Sequence, residues 1–446
     1  MGTSASPRAR EVRDYYGRRH RIGEPDHELI GHSRRWQAWC AWACMAAISL
    51  LQYGFGTVVL GLQAAHGWSL QETVWLLALF VASQAMVSIP VAWMYRRRPA
   101  SPVPFVLAGG ALTTCGVLTL AHVDGYAAAV VGYALVGGVG AGLVYSTCLT
   151  TASNWFPDNW VATRSFVTGG FACGAVPSIA LLTIFSSPRG QTVVLDVAAL
   201  VILMVVTVAG LQLKDPPPHW WPPDIDAQLW AVDHQLNPSL PNNIPAARHY
   251  APGEAMRTGA LPLMWLILAL ISAVSLVGIA LIPSYAVAAD LGLVVAGLAA
   301  GFLAAVNGLG RSVAGRLSDR FGRCRVLAVV LAVEGFTQFG LALAGQAGSP
   351  WAFVLCAMLA GVGGGAFYTI LGNLVLEYFG ENSQLQNHAI LYSAKAAGAL
   401  VGIGGAAFLV DAVGYERLFV VAGFVGLGTA TIVRFLKQPG RPSLVS

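Results

Sequence analysis

The stretch GVGAGLVY at residues 138–145 recurs as GVGGGAFY at residues 361–368, in the second half of the chain. The same spacing carries WFPDN at 155–159 onto YFGEN at 378–382. Agreement in both motif and spacing indicates that the two halves of the chain are structural repeats. Small residues at regular intervals allow helices to pack closely, above all in a membrane. The glycine runs therefore predict close helix contacts and not phosphate-binding loops.

The composition of the chain is that of a membrane protein. Of its 446 residues, 56% are hydrophobic and 11% are charged, whereas a soluble domain has about 25% charged residues. A membrane-spanning helix needs about 20 mostly apolar residues. The sequence therefore predicts an all-α polytopic membrane protein of two six-helix halves. Its twelve transmembrane helices are expected at approximately 37–62, 73–95, 103–122, 126–153, 162–187, 191–212, 260–288, 293–314, 324–345, 350–378, 386–410 and 416–436.

A polar linker divides the chain near its midpoint. We expect the following parts: a basic tail at 1–35, a six-helix half at 36–212, an extended proline-rich linker at 213–258, a second half at 259–437 and a short tail at 438–446. With the linker and both termini on one side, that side receives 22 lysines and arginines and the other side two. The positive-inside rule then predicts an inner (plasma) membrane protein with both termini in the cytoplasm.

The sequence gives no sign of metal or enzyme chemistry. Its seven cysteines lie in or beside apolar spans, without a CxxC or a histidine cluster, so we expect no zinc site, no disulfide framework and no cofactor. The spans contain no HExxH or GxSxG, and GxxxxGK[ST] is absent from the chain. These absences argue against an enzyme and an ATP-driven pump. The net charge of +5 orients the protein in a membrane and does not indicate nucleic-acid binding.

Two cations stand in or beside apolar spans. Lys395 is the only charge in the run from 390 to 410, and Arg311 follows the apolar run from 292 to 310. An ionisable group at membrane depth costs about 2.5–3.5 kcal/mol on insertion scales, and such groups usually face a cavity or a partner. Because no acid lies within a few helical turns of Lys395, the sequence predicts that its partner is a mobile anion.

A charged loop, GRLSDRFGR at residues 315–323, joins the eighth and ninth spans. Its glycines permit a tight turn, and its acid can pair with an arginine or accept hydrogen bonds from a helix N-terminus. The loop resembles the signature of the major facilitator superfamily, which implies that superfamily's fold and a latch that breaks when the halves rock. The alternative is a simple anchor of positive charge. The implied latch residues are Gly315, Arg316, Asp319, Arg320, Gly322 and Arg323.

The equivalent loop of the first half departs from this pattern. The repeat spacing puts Arg96 at the place of Asp319 and Pro99 at the place of Gly322. The run from Tyr95 to Arg98 keeps the positive charge and loses the acid. A matching latch in the first half is therefore not expected to form in the same way.

Further segments resemble the oxalate:formate antiporter family, which is close to the monocarboxylate transporters. They include GWS at 67–69, VYSTC at 144–148, NWFPD at 154–158, NGLGR at 307–311 and LYSAK at 391–395. The resemblance implies that Arg311 and Lys395 bind the anion. It also implies that other side chains line the cavity, namely Gln52, Tyr53, Tyr145 and Tyr368. For each tyrosine the alternative is a packing role.

The side-chain chemistry also fits an anion. Arginine offers a planar fork for a carboxylate, and lysine offers a point charge. The oxalate-specific members are expected to carry tryptophans on the tenth and eleventh spans, where this chain has Gly364 and Tyr392. The glycine predicts a larger pocket, and Tyr392 is expected to face it. We therefore expect a larger or different carboxylate in place of oxalate.

Two further polar residues in the spans each have two interpretations. Glu334, near the middle of the ninth span, is either a proton site or a structural hydrogen-bonding group, and the second is favoured because the ninth helix is peripheral in the superfamily. His388 precedes Lys395 by two helical turns, near the same helical face. It either gates the cytoplasmic mouth and senses pH or is an interfacial histidine, which we favour.

Together these features predict a secondary transporter of small mono- or dicarboxylates that works by alternating access. Exchange of anions is favoured, because repulsion between two cations resists closure of an empty site. The alternatives are a proton-coupled monocarboxylate symporter, an anion sensor that does not transport, and a membrane-embedded enzyme. The expected partners are a small carboxylate and the lipid bilayer, without nucleic acid. The protein is expected to be monomeric or joined by a small accessory protein.

Overall fold

The computed structural model describes residues 10–97 and 101–440, and helices dominate this part of the chain. It contains ten helices that are long and apolar enough to cross a membrane, or eleven if a bent pair counts as one span. The pair is Arg35–Tyr53 and Phe55–His66, and its axes differ by 46°. Gly54 stands between the two pieces, and glycine is a common cause of such kinks.

The last apolar helix, Gln384–Phe435, has 52 residues and is too long for a single span. At the rise of an α-helix it would extend about 78 Å, against a hydrocarbon core of about 30 Å. Gly414 interrupts it with φ 84° and ψ 166°, a backbone conformation that suits glycine. Divided there, this helix supplies two spans. The described residues then contain twelve spans, which agrees with the sequence prediction.

We number the spans α1 to α12 in chain order. Serine side chains cap the helices that begin at Leu70, Pro102 and Pro188, where each accepts a backbone N–H of the first turn. The bounds are Arg35–Tyr53 with Phe55–His66 (α1), Leu70–Tyr95 (α2), Pro102–His122 (α3), Tyr126–Trp155 (α4), Trp160–Ile184 (α5), Pro188–Gly210 (α6), Ala260–Ala288 (α7), Leu293–Phe321 (α8), Arg323–Gln346 (α9), Pro350–Phe379 (α10), 384–413 (α11) and 415–435 (α12).

The repeated glycines make the same close contacts in both halves. A Cβ at Gly138 on α4 would lie 2.6 Å from the Phe80 carbonyl oxygen on α2. A Cβ at Gly361 on α10 would lie 2.5 Å from the Leu303 carbonyl oxygen on α8. Phe80 and Leu303 are themselves related by the spacing of the repeat. The glycine repeat thus sets α4 against α2, and α10 against α8, at a distance that a larger residue would prevent.

The two halves touch at both ends of the bundle. Toward the linker, Gln386 on α11 donates a hydrogen bond of 3.3 Å to the carbonyl oxygen of Ala92 on α2. At the opposite end, Gln71 on α2 donates a hydrogen bond of 2.7 Å to Asp411 on α11. Helices α5 and α8 also meet closely through glycines at 169 and 308. The two halves are therefore in contact at both ends of the bundle.

The linker and the described parts of both termini lie at one end of the bundle, which we call the linker face; the opposite end is the outer face. Strands β1 (Arg10–Arg13) and β2 (Arg19–Ile22) pair antiparallel, and β2 pairs parallel with β3 (Trp220–Trp221) of the linker. Three short helices accompany them: Asp26–Ile30, Ala227–Val232 and Pro252–Arg257. The linker is thus folded against the tail, in contrast to the extended segment that its prolines predict.

Residues 98–100, which include Arg98 and Pro99 of the acid-free loop, lie outside the described residues. The tails at 1–9 and 441–446 lie outside them as well. The described part of the N-terminal tail also contacts the second half of the protein. Its Arg18 forms an ion pair of 3.6 Å with Glu381, in the loop before α11.

Candidate functional site

Lys395 lies on α11 with 2% of its surface exposed. Its ammonium donates hydrogen bonds to Gln52 Oε1 at 2.9 Å, to Gln84 Oε1 at 2.6 Å and to the Tyr392 hydroxyl at 3.3 Å. These three bonds match the three N–H groups of the ammonium. Because Gln52 and Gln84 belong to the first half, Lys395 connects the two halves through neutral acceptors.

Arg311 lies on α8 and is 1% exposed. Its guanidinium donates to the Thr168 carbonyl oxygen at 2.9 Å, to the Tyr53 hydroxyl at 2.7 Å and to Asn307 Oδ1 at 3.0 Å. The Tyr53 hydroxyl donates in turn to Asn307 Oδ1 at 3.0 Å. Thr168 and Tyr53 belong to the first half, so this cation also spans the boundary between the halves.

Neither cation has a counter-charge among the described residues. The ion pairs found there involve other side chains, and the acceptors around Lys395 and Arg311 are amides, hydroxyls and a carbonyl. Burying an unpaired charge is costly, and neutral dipoles offset this cost only in part. Three buried donors of this region, Gln84 Nε2, Asn307 Nδ2 and Arg311 Nε, have no hydrogen-bond partner within residues 10–97 and 101–440. Positive charge with unused donors is complementary to a carboxylate.

Aromatic rings complete the wall of this site. The Tyr368 ring centroid lies 5.7 Å from the Arg311 guanidinium carbon and 5.7 Å from Lys395 Nζ. The Phe171 ring centroid is 5.6 Å from Lys395 Nζ. A cation within about 6 Å of a ring face is attracted to it when the ring is suitably oriented. Tyr368 therefore lies beside both charges. We call the two cations, their acceptors and these rings the central site.

Two amides of the central site are related by the repeat. Gln84 and Asn307 are separated by the repeat spacing, and each accepts a hydrogen bond from one of the cations. Their backbone carbonyl oxygens also have equivalent surroundings. A Cβ at Gly142 would lie 2.5 Å from the carbonyl oxygen of Gln84, and a Cβ at Gly365 would lie 2.5 Å from that of Asn307. The close approach of α4 to α2, and of α10 to α8, thus fixes the two helix segments that present these amides.

A cavity of about 330 Å³ leads from the linker face toward the central site. Its walls include the segments 153–154 and 381–386 at the linker face, and they end at Tyr145 and Tyr392. The rings of Tyr145 and Tyr392 stack with centroids 5.2 Å apart. Since the Tyr392 hydroxyl also contacts Lys395, this ring pair lies between the cavity and the ammonium. The deep burial of Lys395 follows from this closure.

A third buried cation lies in the wall of that cavity. Arg164 is one of the 22 basic residues that the sequence assigns to the side of the linker and termini. The structure places it within α5 with 7% of its surface exposed. Its Nη2 donates a hydrogen bond of 2.7 Å to His388 Nε2 on α11. His388 is thus bonded across the boundary between the two halves, in the wall of the cavity.

The loop at 315–323 is built around Arg323. This arginine pairs with Asp319 Oδ1 at 3.0 Å and with Glu377 Oε2 at 2.5 Å. All three residues belong to the second half, so the cluster does not itself join the halves. The sequence predicts that Asp319 either pairs with an arginine or accepts hydrogen bonds from a helix N-terminus. The structure shows the pair with an arginine.

The other residues of the loop at 315–323 either pack against neighbouring segments or are exposed at the linker face. The motif meets the first half at Gly315, where a Cβ would lie 2.6 Å from Ser165 Oγ on α5. Gly322 ends α8 with φ 92°, a conformation that favours glycine. Arg316 and Arg320 are at least partly exposed at the linker face. These two arginines therefore do not take part in the ion-pair cluster.

The linker is bonded to the same loop. Asn243 Nδ2 donates to the carbonyl oxygens of Ser318 and Asp319 at 3.1 Å and 3.2 Å, and its Oδ1 accepts the Arg323 backbone N–H at 3.1 Å. One side chain thereby satisfies backbone groups at the end of α8 and at the start of α9, which have no partner within those helices. The linker is in this way attached to the second half.

Glu334 is buried on α9, and it forms no ion pair among the described residues. Its Oε1 accepts a hydrogen bond of 3.1 Å from Gln338, and its Oε2 has no hydrogen-bond partner in the described part of the chain. A Cβ at Gly363 would lie 2.6 Å from this Oε2, so the carboxyl group packs directly against α10. The structure thus shows both a structural hydrogen bond, which the sequence favours, and an unbonded oxygen.

The pocket is not enlarged at Gly364. A Cβ there would lie 2.6 Å from Ser275 Oγ on α7 and 3.3 Å from Asn307 Nδ2. The expectation of a larger pocket was therefore wrong at this position, because α7 approaches α10 closely enough for Ser275 to occupy the space of a larger residue. Tyr392, by contrast, lies at the central site.

The structure brings together all seven side chains that the sequence assigns to the substrate, namely Gln52, Tyr53, Tyr145, Arg311, Tyr368, Tyr392 and Lys395. It adds four that the sequence analysis did not assign: Gln84, Arg164, Phe171 and Asn307. Gln84 carries a usable signal, since it is an isolated amide in the apolar run 73–86. Asn307 carries another, because it lies one helical turn before Arg311. Phe171 has no such signal among many apolar residues.

Comparisons with known proteins agree with this architecture. The oxalate:formate antiporter of Oxalobacter formigenes is 24% identical over 350 residues, which cover 77% of each chain. A probable 4-methylmuconolactone transporter of Cupriavidus pinatubonensis is 32% identical over 133 residues, about 30% of each chain. A solved POT family transporter, in complex with 5-aminolevulinic acid, has a TM-score of 0.67 at 15% identity and covers 92% of this chain and 97% of its own.

The pattern of the Major Facilitator Superfamily matches residues 41–314 and 265–445, which together include most of the chain. The likeness to the solved structure concerns the fold and agrees with the predicted helical membrane architecture. The similarity to the oxalate:formate antiporter extends over both halves. This chain is therefore a transporter of the Major Facilitator Superfamily, similar to the oxalate:formate antiporters.

Proposed function

We propose that this transporter carries small carboxylates and exchanges one anion for another. The observation that supports this most is the pair of buried cations, Arg311 and Lys395, bonded only to neutral acceptors. A permanent counter-charge would make such a site self-sufficient, whereas an uncompensated site attracts a mobile anion. A relative that matches 77% of this chain is named for two carboxylates, oxalate and formate.

The substrate should be a small mono- or dicarboxylate. Arg311 offers a fork for two carboxylate oxygens, while Lys395 offers a point charge. Both charges lie 5.7 Å from the ring centroid of Tyr368, so a short dicarboxylate that passes along this ring can reach both. Because Ser275 fills the space beside Gly364, the glycine at this position does not provide room for a bulkier substrate.

The positions of the cations explain how binding would drive the transport cycle. Both belong to the second half, and both are bonded to first-half groups, such as Gln84 for Lys395 and Tyr53 for Arg311. In a low-dielectric site, two like charges without an anion repel each other strongly. A bound carboxylate neutralises them and favours closure of the halves around it. This dependence of closure on the anion favours exchange over net transport.

We also propose the orientation of the protein. The linker face carries nearly all of the lysines and arginines outside the spans, and the positive-inside rule assigns such a face to the cytoplasm. If Arg164 is left out because it is buried, the linker face still carries far more lysines and arginines than the outer face. The protein would then lie in the plasma membrane with both termini and the linker in the cytoplasm.

Uptake into proteoliposomes tests the proposal. Purified protein is reconstituted and loaded with oxalate, formate, malonate or succinate, and the uptake of the same radiolabelled anion is measured without a pH gradient. The account predicts that internal carboxylate stimulates uptake, and that Lys395→Ala and Arg311→Ala each abolish the stimulated part. Equal uptake by wild type and both variants would remove these residues from the mechanism. Absence of uptake of all four anions by the wild type would contradict carboxylate exchange.

A proton-coupled symporter is the second candidate, and the unbonded Oε2 of Glu334 favours it. A buried carboxyl group with one unbonded oxygen can accept and release a proton during a cycle. The two candidates differ in the driving force. A symporter would accumulate carboxylate in response to an acidic exterior, and Glu334→Gln would abolish that accumulation while counterflow continues. An exchanger would show no such accumulation, and Glu334→Gln would leave its counterflow unchanged.

A further inference from the structure

Arg164 is held in the cavity wall by three neighbours. Its Nη2 donates to His388 Nε2 at 2.7 Å, and its guanidinium carbon lies 4.3 Å from the ring centroid of Trp160. Gly372 provides the space, because a Cβ there would lie 3.2 Å from His388 Nε2 and 3.4 Å from Arg164 Nη2. The guanidinium is therefore fixed in position and is not a mobile surface group.

The charge of Arg164 is not neutralised by the protein around it. No carboxylate of the described residues forms an ion pair with this guanidinium, and His388 accepts its hydrogen bond as a neutral ring. The carboxylate in the same cavity wall, Glu381, pairs with Arg18 instead. An arginine has five N–H donors, and a fixed arginine beside an open cavity can offer the remaining donors to an anion.

The cavity places Arg164 on the path between the linker face and the central site. It is lined by Arg164, His388 and the ring pair of Tyr145 and Tyr392, and this ring pair separates it from Lys395. A carboxylate that moves between the linker face and Lys395 through this cavity passes the guanidinium. At about 330 Å³, the cavity is large enough for a small carboxylate with several waters, since a water takes about 30 Å³ in the liquid.

We propose that Arg164 and His388 form a second anion-binding station, which holds a small carboxylate between the linker face and the central site. The proposal rests on the proposed function, because it assumes that the mobile anion is a carboxylate. The Arg164 guanidinium supplies the charge, and the ring pair of Tyr145 and Tyr392 opens to pass the anion onward. The station serves one side of the membrane only, because the cavity begins at the linker face.

Sided transport kinetics test the proposal. Right-side-out and everted membrane vesicles are compared for wild type, Arg164→Gln, Arg164→Lys and the control Arg257→Gln, an exposed arginine of the linker face. Whichever of oxalate, formate, malonate or succinate the wild type exchanges serves as the probe. For Arg164→Gln we expect KM to rise about tenfold when the linker face is outside, and to change less than about twofold in the opposite orientation. Arg164→Lys should restore part of the affinity, and Arg257→Gln should behave as wild type.

A second measurement does not depend on the substrate. Ser146 lines the same cavity, and the variant Ser146→Cys can be modified with a negatively or a positively charged methanethiosulfonate reagent. The ratio of the two rates, negative over positive, is followed by mass spectrometry of the modified peptide and reports the local potential. If Arg164 is part of an anion-binding station, the change Arg164→Gln should lower this ratio about tenfold. The control change Arg257→Gln should leave the ratio unchanged.

The outcomes separate the two proposals. A KM that rises equally from both faces, or a reagent ratio that does not change, would assign Arg164 a purely structural contact with His388 and overturn the station. If the wild type exchanges none of the four carboxylates, the proposed function fails, and the carboxylate station fails with it. If the wild type exchanges one of them and Arg164→Gln is normal from both faces, only the station is refuted.

Discussion

Gln84 and Asn307 stand at equivalent positions of the two halves, and each accepts a hydrogen bond from one of the two buried cations, at 2.6 Å and 3.0 Å. The amide oxygens are close enough to stabilise the charges, and being neutral they do not cancel them. The repeat therefore provides matched polar supports on α2 and α8. The central site depends on these supports remaining neutral.

The charges themselves do not follow the repeat. The first-half residues that the spacing relates to Lys395 and Arg311 are Ala172 and Ser88. Both cations thus belong to the second half, while Gln52, Gln84 and Tyr53 in the first half contribute neutral partners. The rocking of one half against the other would consequently change the partners of both cations together.

A permanent negative charge at either support should replace the substrate. The variant Gln84→Glu puts a carboxylate beside Lys395, and Asn307→Asp puts one beside Arg311. We expect each variant to stay folded, with an unchanged or higher thermal unfolding midpoint, and to lose carboxylate binding by at least about tenfold, since the site then contains its own anion.

The control for this charge change is Gln235→Glu, which alters an exposed residue of the linker. It should bind carboxylate as the wild type does. Binding is measured as the ligand-induced shift of the thermal unfolding midpoint. Full carboxylate binding by both Gln84→Glu and Asn307→Asp would show that positive charge at the central site is not what attracts the anion.

The ring of Tyr145 should keep the cavity closed from the central site. In the background Lys395→Cys, a thiol reagent added from the linker face should react slowly, because Tyr145 and Tyr392 stack across the path. The further change Tyr145→Ala should raise the rate at least about tenfold, since removal of a large buried ring leaves a cavity. Tyr145→Phe keeps the ring and should leave the reaction slow; fast modification of that control would show that the ring does not close the path.

The Arg323 cluster should stabilise the second half. Arg323→Gln leaves Asp319 and Glu377 facing each other without the cation, and breaking a buried ion pair costs about 3–5 kcal/mol. Because Asp319 and Glu377 are partly exposed, at 23% and 13% of their side-chain surface, we expect about 2 kcal/mol and a clearly lower unfolding midpoint. Arg320→Gln, outside the cluster, should change stability by less than about 0.5 kcal/mol. Equal effects of the two variants would contradict the role of the cluster.

The close contacts of the glycine repeat should tolerate no added methyl group. In Gly361→Ala the new Cβ would lie 2.5 Å from the Leu303 carbonyl oxygen, and such overpacking costs about 1–3 kcal/mol. Gly428 on α12 is the matched control, because nothing lies within 4 Å of its Cβ position, and Gly428→Ala should be neutral or stabilising by up to about 1 kcal/mol. Thermal unfolding of both variants in the same detergent measures the difference; a stable Gly361→Ala would disprove the contact.

Much of the fold follows from the sequence because length and apolarity alone define most spans. The repeat at 138–145 and 361–368 also indicates which helices correspond. The division of the last helix at Gly414 and the bend at Gly54 agree with the predicted spans. The sheet between the tail and the linker was not predicted, since β3 consists only of Trp220 and Trp221 and pairs with a strand of the N-terminal tail, on the far side of six spans.

The central site is less evident from sequence because its partners are distant in the chain. Lys395 and Arg311 are recognisable as charges in apolar surroundings, and the resemblance to a known family supplies the cavity tyrosines. Gln84 and Phe171 become recognisable only when α2 and α5 are placed against α11. Arg164 was assigned only to the cytoplasmic side, because a position near the start of a span does not reveal whether its side chain reaches water or turns inward.

Equilibrium binding to the purified protein tests the central claim most directly. Oxalate, formate, malonate and succinate are titrated calorimetrically against wild type, Lys395→Ala, Arg311→Ala and the exposed control Arg257→Gln. The account predicts that the wild type and Arg257→Gln bind at least one of these anions with the same affinity, and that each cation variant loses at least about tenfold in affinity. Undiminished binding by both Lys395→Ala and Arg311→Ala, or no binding of any of the four by the wild type, would contradict it.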